Sequence, residues 1–218
     1  MPANPVTPAT RHSSAVPAPV ADSTKPTLRR ELKRRRRALS SRQQRAAAAR
    51  LCRRLKTLPE LQRARRISLY LPFGGEIDPQ PLLPWLYRRG VSVYLPVLRP
   101  LADNALWFVA YRPDTPMVRN RFGIREPAAA FSARRQNRLP AWALDTLIVP
   151  LVGFDARANR MGMGGGFYDR TLAFMRYRRP APTLIGVAHA CQEVETLPVE
   201  PWDIPLGAIA TDAGIVRR

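Results

Sequence analysis

In residues 25–66 the apolar positions recur at helical spacing: Leu28, Leu32 and Leu39 form one stripe, and Leu51, Leu55 and Leu58 form another before Pro59 breaks the run. This spacing predicts two amphipathic helices, the first capped by Thr27 and the second opened by a capping box of Ser41 and Gln44. From Ile67 the pattern changes to short apolar runs, ISLYLP, VSVYLP, ALWFVAY, DTLIVP, TLIGVA and GAIAT, separated by turn-rich or helical stretches such as PLLPWLYRRG. Strands apolar on both faces need cover on both sides. Their alternation with helices predicts an α/β fold with a mostly parallel sheet, preceded by the two basic helices. Residues 117–144, rich in Pro and Arg, yield no clear element, and no internal repeat of fixed period occurs. Residues 1–24 are rich in Pro, Ala, Ser and Thr and have too little large apolar surface to offset ordering entropy. They are expected to form a disordered extension ahead of a single domain spanning 25–218.

The chain's 218 residues suit one domain, and its 45% hydrophobic content is enough for a full core. Two cysteines, Cys52 and Cys191, exclude a disulfide framework or a cysteine-based zinc site. No apolar run reaches the roughly 18 residues of a membrane span, and the start of the chain lacks the compact apolar core of a secretory signal. A cytoplasmic protein without a membrane partner is expected, with a monomer as the default. The net charge of +20 is uneven: residues 25–66 hold 17 basic and 2 acidic side chains, a net +15. Such a segment is a solvated helix face, an anion-binding surface, or a nucleic-acid site. No aromatic residue precedes Tyr70 in the segment, so base stacking has no support there and no dedicated nucleic-acid partner is expected. A basic nucleic-acid-binding protein stands as the competing reading, and it would show a steep loss of affinity with salt.

The strongest chemical signal is NRMGMGGGFYDR at 159–170, between the strand DTLIVP with its loop and a helix expected to open at Phe167. Gly162, Gly164, Gly165 and Gly166 permit positive φ and close approach, so successive backbone N–H groups can converge on an anion. The run is either such a phosphate cradle or a flexible turn. It is not a P-loop, because no Gly-Lys-Ser/Thr follows, and its glycines are wrongly spaced for a dinucleotide fingerprint. Asp169 can hold Mg²⁺ or simply complement a helix start. Asp203, in PWDIP, can be a second metal carboxylate or a turn residue. Glu76, in FGGEID after the first strand, lies where open α/β sheets bind ligands. Its carboxylate can accept paired N–H groups from a heterocycle or remain a solvated loop acid. Lys25 and Arg29 can reach phosphates. His12 and His189 organise no site, and pairing His189 with Cys191 as a nucleophile has little support.

Taken together, LRRELKRRRRALS, LYLPFGGEID, NRFGIREP, LIVPLVGFDARANRMGMGGGFYDR and LPVEPWDIPLGAIATD resemble, in order and across residues 25–212, the 5-formyltetrahydrofolate cyclo-ligase (5,10-methenyltetrahydrofolate synthetase) family. The resemblance implies a Rossmann-like three-layer α/β fold similar to the NagB/RpiA/CoA-transferase group. It also implies an ATP- and Mg²⁺-dependent enzyme converting 5-formyltetrahydrofolate to 5,10-methenyltetrahydrofolate with release of ADP and phosphate. Carried over by position, Lys25 and Arg29 match ATP contacts, and Arg160, Met161, Gly162, Met163, Gly164, Gly165, Gly166, Phe167 and Tyr168 match the ATP loop. The same resemblance gives Leu71, Glu76, Met163, Gly164, Gly165, Gly166 and Phe167 as folate contacts, and Asp169 and Asp203 as magnesium carboxylates. Lys25, Arg160 and Tyr168 are the expected catalytic residues. Met163 and Gly165 stand where some members carry Arg or Lys, leaving more phosphate charge to Lys25, Arg29, Arg160 and the metal. Tyr168 and Phe122 are candidates for packing on pterin or adenine, or for ordinary core packing. The basic helices are expected to favour polyglutamylated folates, and a relative that binds both ligands without turnover is a further alternative.

Overall fold

A computed structural model describes residues 24–99, 105–120 and 123–218. The expected N-terminal extension therefore lies outside the described residues, save Thr24, as does Phe122. The chain opens with helices α1 (Lys25–Arg37), α2 (Ser41–Thr57) and α3 (Pro59–Arg63), followed by strand β1 (Arg66–Ser68), helix α4 (Leu83–Arg88) and strands β2 (Ser92–Leu98) and β3 (Leu106–Ala110). Next come the hairpin β4 (Met117–Arg119) and β5 (Arg125–Pro127), helix α5 (Ala129–Ala133), and strands β6 (Arg138–Leu139) and β7 (Thr146–Pro150). A second small hairpin, β8 (Gly153–Phe154) and β9 (Arg160–Met161), leads to helix α6 (Phe167–Thr171). Strands β10 (Thr183–Ala188), β11 (Ala208–Thr211) and β12 (Ile215–Arg217) complete the order.

The main sheet runs β12-β11-β10-β7-β1-β2-β3-β6. Its five central strands, β11 to β2, pair in parallel, and β12, β3 and β6 add antiparallel edges. After β1 the chain builds outward through β2 and then returns to place β7 on the other flank of β1. That reversal opens a crevice at the carboxyl ends of β1 and β7, where ligands bind in sheets of this type. Alternate side chains feed two cores, as the period of two requires. Ile148, Ile185, Val187 and Ala210 join the leucines of α2 to α4 on one face, whereas Leu147, Val149, Leu184 and Ile209 face Leu172, Ile204 and Leu206 on the other.

The structure corrects several local expectations. Helix α1 begins at Lys25 with Thr24 at its N-cap, so Thr27 sits inside the first turn. The capping box of α2 is made by Ser40 and Gln43, one residue earlier than the spacing suggested. Pro59 does not simply end the run; it starts α3, where its missing N–H costs nothing. Residues 117–144 hold the β4–β5 hairpin, α5 and β6. The two basic helices are also no appendage. Leu51 and Leu55 of α2 lie in the larger core, and Leu28 and Leu32 of α1 form a third core with Val152, Met161 and Leu197 at the carboxyl edge of the sheet.

Gly153 is the contact that lets α1 approach, because a Cβ there would lie 2.4 Å from Leu32 Cδ1. Leu32 is fully buried. Leu32→Ala is expected to destabilise the fold by about 2–5 kcal/mol in urea titration. A change within about 0.5 kcal/mol, the range of an ordinary surface substitution, would show that α1 docks without supporting the fold.

Candidate active site

The crevice is a cleft of about 1030 Å³, floored by Tyr70 and Leu71 after β1, by Leu95 and Pro96 of β2 and by Pro150 of β7. Every site residue expected from the sequence within the described part lines it, from Lys25 and Arg29 through Leu71 and Glu76 to the loop 160–168, Asp169 and Asp203. Much of the lining is polar and cationic, and it includes the buried carboxylate of Glu76.

The cationic lining is built on the glycine loop. Arg29 Nε donates to Gly162 O at 2.9 Å, and Arg170 Nη1 donates to Gly165 O at 2.8 Å. Gly164 has φ of 100°, with the Arg29 guanidinium 3.5 Å from where a Cβ would stand. Gly165 leaves room for the Phe167 ring, which a Cβ would approach to 2.5 Å. The loop is aimed from behind by Asp155, buried and unnoticed in the sequence. Its Oδ1 accepts from the backbone N–H groups of Arg157 and Asn159, both at 3.0 Å, and its Oδ2 accepts from Leu197 N at 3.1 Å. One carboxylate thus ties the loop before the glycines to the segment that carries Asp203. Helix α6 is a single turn of five residues, so the expected helix-terminus contribution to anion binding is small. The other donors that the cleft offers an anion are the loop amides, Lys25, Arg29 and Arg160.

Two of those cations are held by acids, and Arg29 by the Gly162 carbonyl. Lys25 Nζ contacts Glu200 Oε1 at 2.6 Å, and Arg160 pairs with Asp169 Oδ1, which also accepts Ile204 N at 3.2 Å. Asp203 Oδ2 accepts Glu200 N at 2.9 Å across the turn. Among the described residues Asp169 Oδ2 and Asp203 Oδ1 accept no hydrogen bond, and no group of three or more His, Cys, Asp or Glu forms a metal cage. Two hard oxygen donors lining the cleft fit magnesium, which keeps waters and takes its remaining ligands from a substrate.

Glu76, which also lines the cleft, is far from a solvated loop acid: its side chain is only 12% exposed. Gly74 and Gly75, with φ of 59° and 82°, turn the chain so that Glu76 Oε2 accepts Phe73 N at 3.1 Å. Burial pushes its carboxyl up, while the nearby Arg36 guanidinium opposes that rise. Tyr168 lines the cleft and packs on the second core, and burial raises its hydroxyl well above the usual phenol value. Met163, Phe73 and Trp202 form an exposed apolar rim. His189 is buried near Gly75 and does not line the cleft, and burial raises the Cys191 thiol, which disfavours the thiolate a nucleophile needs.

Sequence reading missed Glu200, Asp155 and Arg36. Arg36 alone left a signal, because it continues the buried stripe of Leu28 and Leu32 at a spacing of four.

A glycine cradle, three cations and paired carboxylates at the carboxyl edge of a parallel sheet define an α/β enzyme cleft suited to an anionic ligand. The model of the 5-formyltetrahydrofolate cyclo-ligase family matches residues 21–212. The chain is 46% identical over 162 residues to the 5-formyltetrahydrofolate cyclo-ligase of Escherichia coli (strain K12), covering 74% of this chain and 86% of that protein. It is 48% identical over 149 residues to the protein of that name from Haemophilus influenzae, covering 68% of this chain and 76% of that one. The solution structure of Aquifex aeolicus 5,10-methenyltetrahydrofolate synthetase superposes with a TM-score of 0.72 at 29% identity, covering 88% of this chain and 92% of that one. The chain belongs to the 5-formyltetrahydrofolate cyclo-ligase family and is a ligase.

Replacement of Gly164 by Ala puts a side chain into left-handed backbone against Arg29. Gly164→Ala is expected to weaken binding of an ATP analogue, read by calorimetry, by about fivefold or more while leaving the melting temperature nearly unchanged. Unaltered nucleotide affinity would remove this glycine from the anion cradle.

Proposed function

We propose that the chain carries out the ATP- and Mg²⁺-dependent conversion of 5-formyltetrahydrofolate to 5,10-methenyltetrahydrofolate, ADP and phosphate. The observation that carries the reading is the convergence of the glycine loop, Lys25, Arg29, Arg160 and Glu76 on one cleft, although they lie up to 141 residues apart in the chain. Glu76 accepts the paired N–H groups of the pterin, with Leu71 beside it. Lys25, Arg29 and the amides of 162–166 hold the phosphates. Asp169 and Asp203 would hold magnesium, which supplies charge neutralisation on the phosphates.

The chemistry matches these residue types. A formyl amide is a poor electrophile, and its oxygen leaves as hydroxide only with prohibitive difficulty. In the proposed sequence the formyl oxygen attacks the γ-phosphorus in line and ADP departs. N10 then closes on the activated carbon and loses its proton, and phosphate leaves carrying the former formyl oxygen. Such a transfer needs positioned partners and neutralised charge more than a side-chain nucleophile. Lys25 and Arg160 meet the charge developing on the transferred group, and Tyr168, kept neutral by its burial, packs against the reacting substrate. We assign residues 25–218 to one catalytic domain and take the active form as a cytoplasmic monomer. The exposed arginines of α1 and α2 favour polyglutamylated folates over nucleic acid. Among the described residues no helix is long and apolar enough to cross a membrane.

The test is to mix protein, 5-formyltetrahydrofolate, Mg²⁺ and ATP and follow the near-ultraviolet band of the methenyl product, with ATP omitted as control. Growth of that band only with ATP supports the reading. Folded protein that binds both ligands without turnover would mark an inactive relative, and binding of neither would favour the nucleic-acid alternative. Asp169→Asn is expected to lower kcat by about 10²-fold or more, with a steeper dependence on Mg²⁺, because a charge-stabilising contact is lost. Wild-type Mg²⁺ dependence in that variant would exclude Asp169 as a metal ligand.

A further inference from the structure

Arg36 is 1% exposed, the largest fully buried side chain among the described residues, and the cleft residues do not include it. A guanidinium can be buried at tolerable cost only if its donors are met. Here Nε donates to Gly74 O at 3.1 Å, Nη1 donates to Leu151 O at 3.4 Å, and Nη2 lies 3.7 Å from Glu76 Oε1. One rigid fork therefore joins α1, the turn that carries Glu76 and the loop after β7. Glu76 Oε2 accepts Phe73 N, and Arg36 stands behind Oε1 as an ion pair beyond hydrogen-bond distance.

We infer that Arg36 is a positioning residue for substrate recognition: from behind the cleft it fixes the place and the charge of Glu76, so that the cleft selects a heterocycle presenting paired N–H donors. The inference rests on the reading of Glu76 as the pterin contact. A carboxylate can accept two N–H groups in parallel only when it is ionised and oriented, and burial acts against ionisation here while Arg36 acts for it. Other groups face the same site. Lys33 and Arg37 stand on α1, Tyr70 follows β1, Tyr168 comes from α6, and His189 lies near Gly75 with Asp212 beside it. None of these is in ion-pair contact with Glu76; among the described residues only Arg36 is. Glycine at 74 and 75 allows the turn that presents Gly74 O to the fork.

The experiment uses the full chain and four variants, Arg36→Met, Arg36→Lys, Glu76→Gln and the double variant Arg36→Met with Glu76→Gln. KM is measured for 5-formyltetrahydrofolate and for ATP, together with the pH profile of kcat/KM for the folate. Arg36→Met is expected to raise the folate KM about tenfold or more while changing the ATP KM by less than about twofold. Without the cation the Glu76 carboxyl titrates higher, so the acid limb of the folate profile should move up by about one pH unit or more. Arg36→Lys keeps the charge and loses the fork, so the acid limb should stay in place with an intermediate KM. In the Glu76→Gln background Arg36→Met should add little, because the two act through one contact.

Equal losses for folate and ATP, an unmoved acid limb, or additive effects in the double variant would overturn the inference and leave Arg36 a structural pin. If Arg36→Met does not fold, Arg36→Lys decides alone: a folate-selective rise in KM supports the inference, and a non-selective or absent one overturns it. If Glu76→Gln itself leaves folate kinetics unchanged, the reading of Glu76 has failed. A damaged Glu76→Gln beside an unaffected Arg36→Met defeats the Arg36 inference alone.

Discussion

The cleft depends on one helix laid across the carboxyl edge of the sheet. Loops leaving that edge carry backbone carbonyls that no neighbouring strand satisfies, and buried carbonyls need partners. Helix α1 supplies them from arginine: Arg29 to Gly162 O, and Arg36 to Gly74 O and Leu151 O. The same helix buries Leu28 and Leu32 against Val152, Met161 and Leu197. Apolar contact thus sets the height of the helix above the sheet, and guanidinium bonds set the loops around it. Remove either and the glycine loop and the Glu76 turn lose their common reference.

This arrangement also explains how so many like charges coexist in a narrow space. Lys25 is held by Glu200 and Arg160 by Asp169, so the cations are oriented before any phosphate meets them. Orientation in advance lowers the cost of ordering long side chains on binding. In the proposed reaction the acids would then be available to a metal or to solvent as phosphate takes over the cations. Asp155 contributes without touching the cleft, by fixing the loop that leads to the glycines and the segment that leads to Asp203.

Much of this was legible in the sequence because the relevant signals are local. Short apolar runs gave the strands and the glycine run gave the loop, while the five ordered motifs pointed to the family. The capping box slipped by one residue because Ser40 and Ser41 both lie three residues before a glutamine, and the pattern cannot choose between them. Helix α6 proved a single turn, since a Gly-rich approach and a few apolar residues do not define length. The pairing of Lys25 with Glu200 spans 175 residues and has no local signature. Arg36 was masked by its neighbours: within four consecutive arginines, only the stripe of Leu28 and Leu32 marks which one turns inward. A basic face and a buried cation look alike until the helix is set against something.

In the proposed reaction the cleft activates the formyl oxygen by phosphorylation, and transfer of an isotope from that oxygen to phosphate reads this step. The enzyme would be given 5-formyltetrahydrofolate labelled with ¹⁸O in the formyl group, together with ATP and Mg²⁺, and the released phosphate analysed by ³¹P NMR or mass spectrometry. The account predicts one ¹⁸O in each phosphate released. Unlabelled phosphate, with the label lost to water, would contradict it.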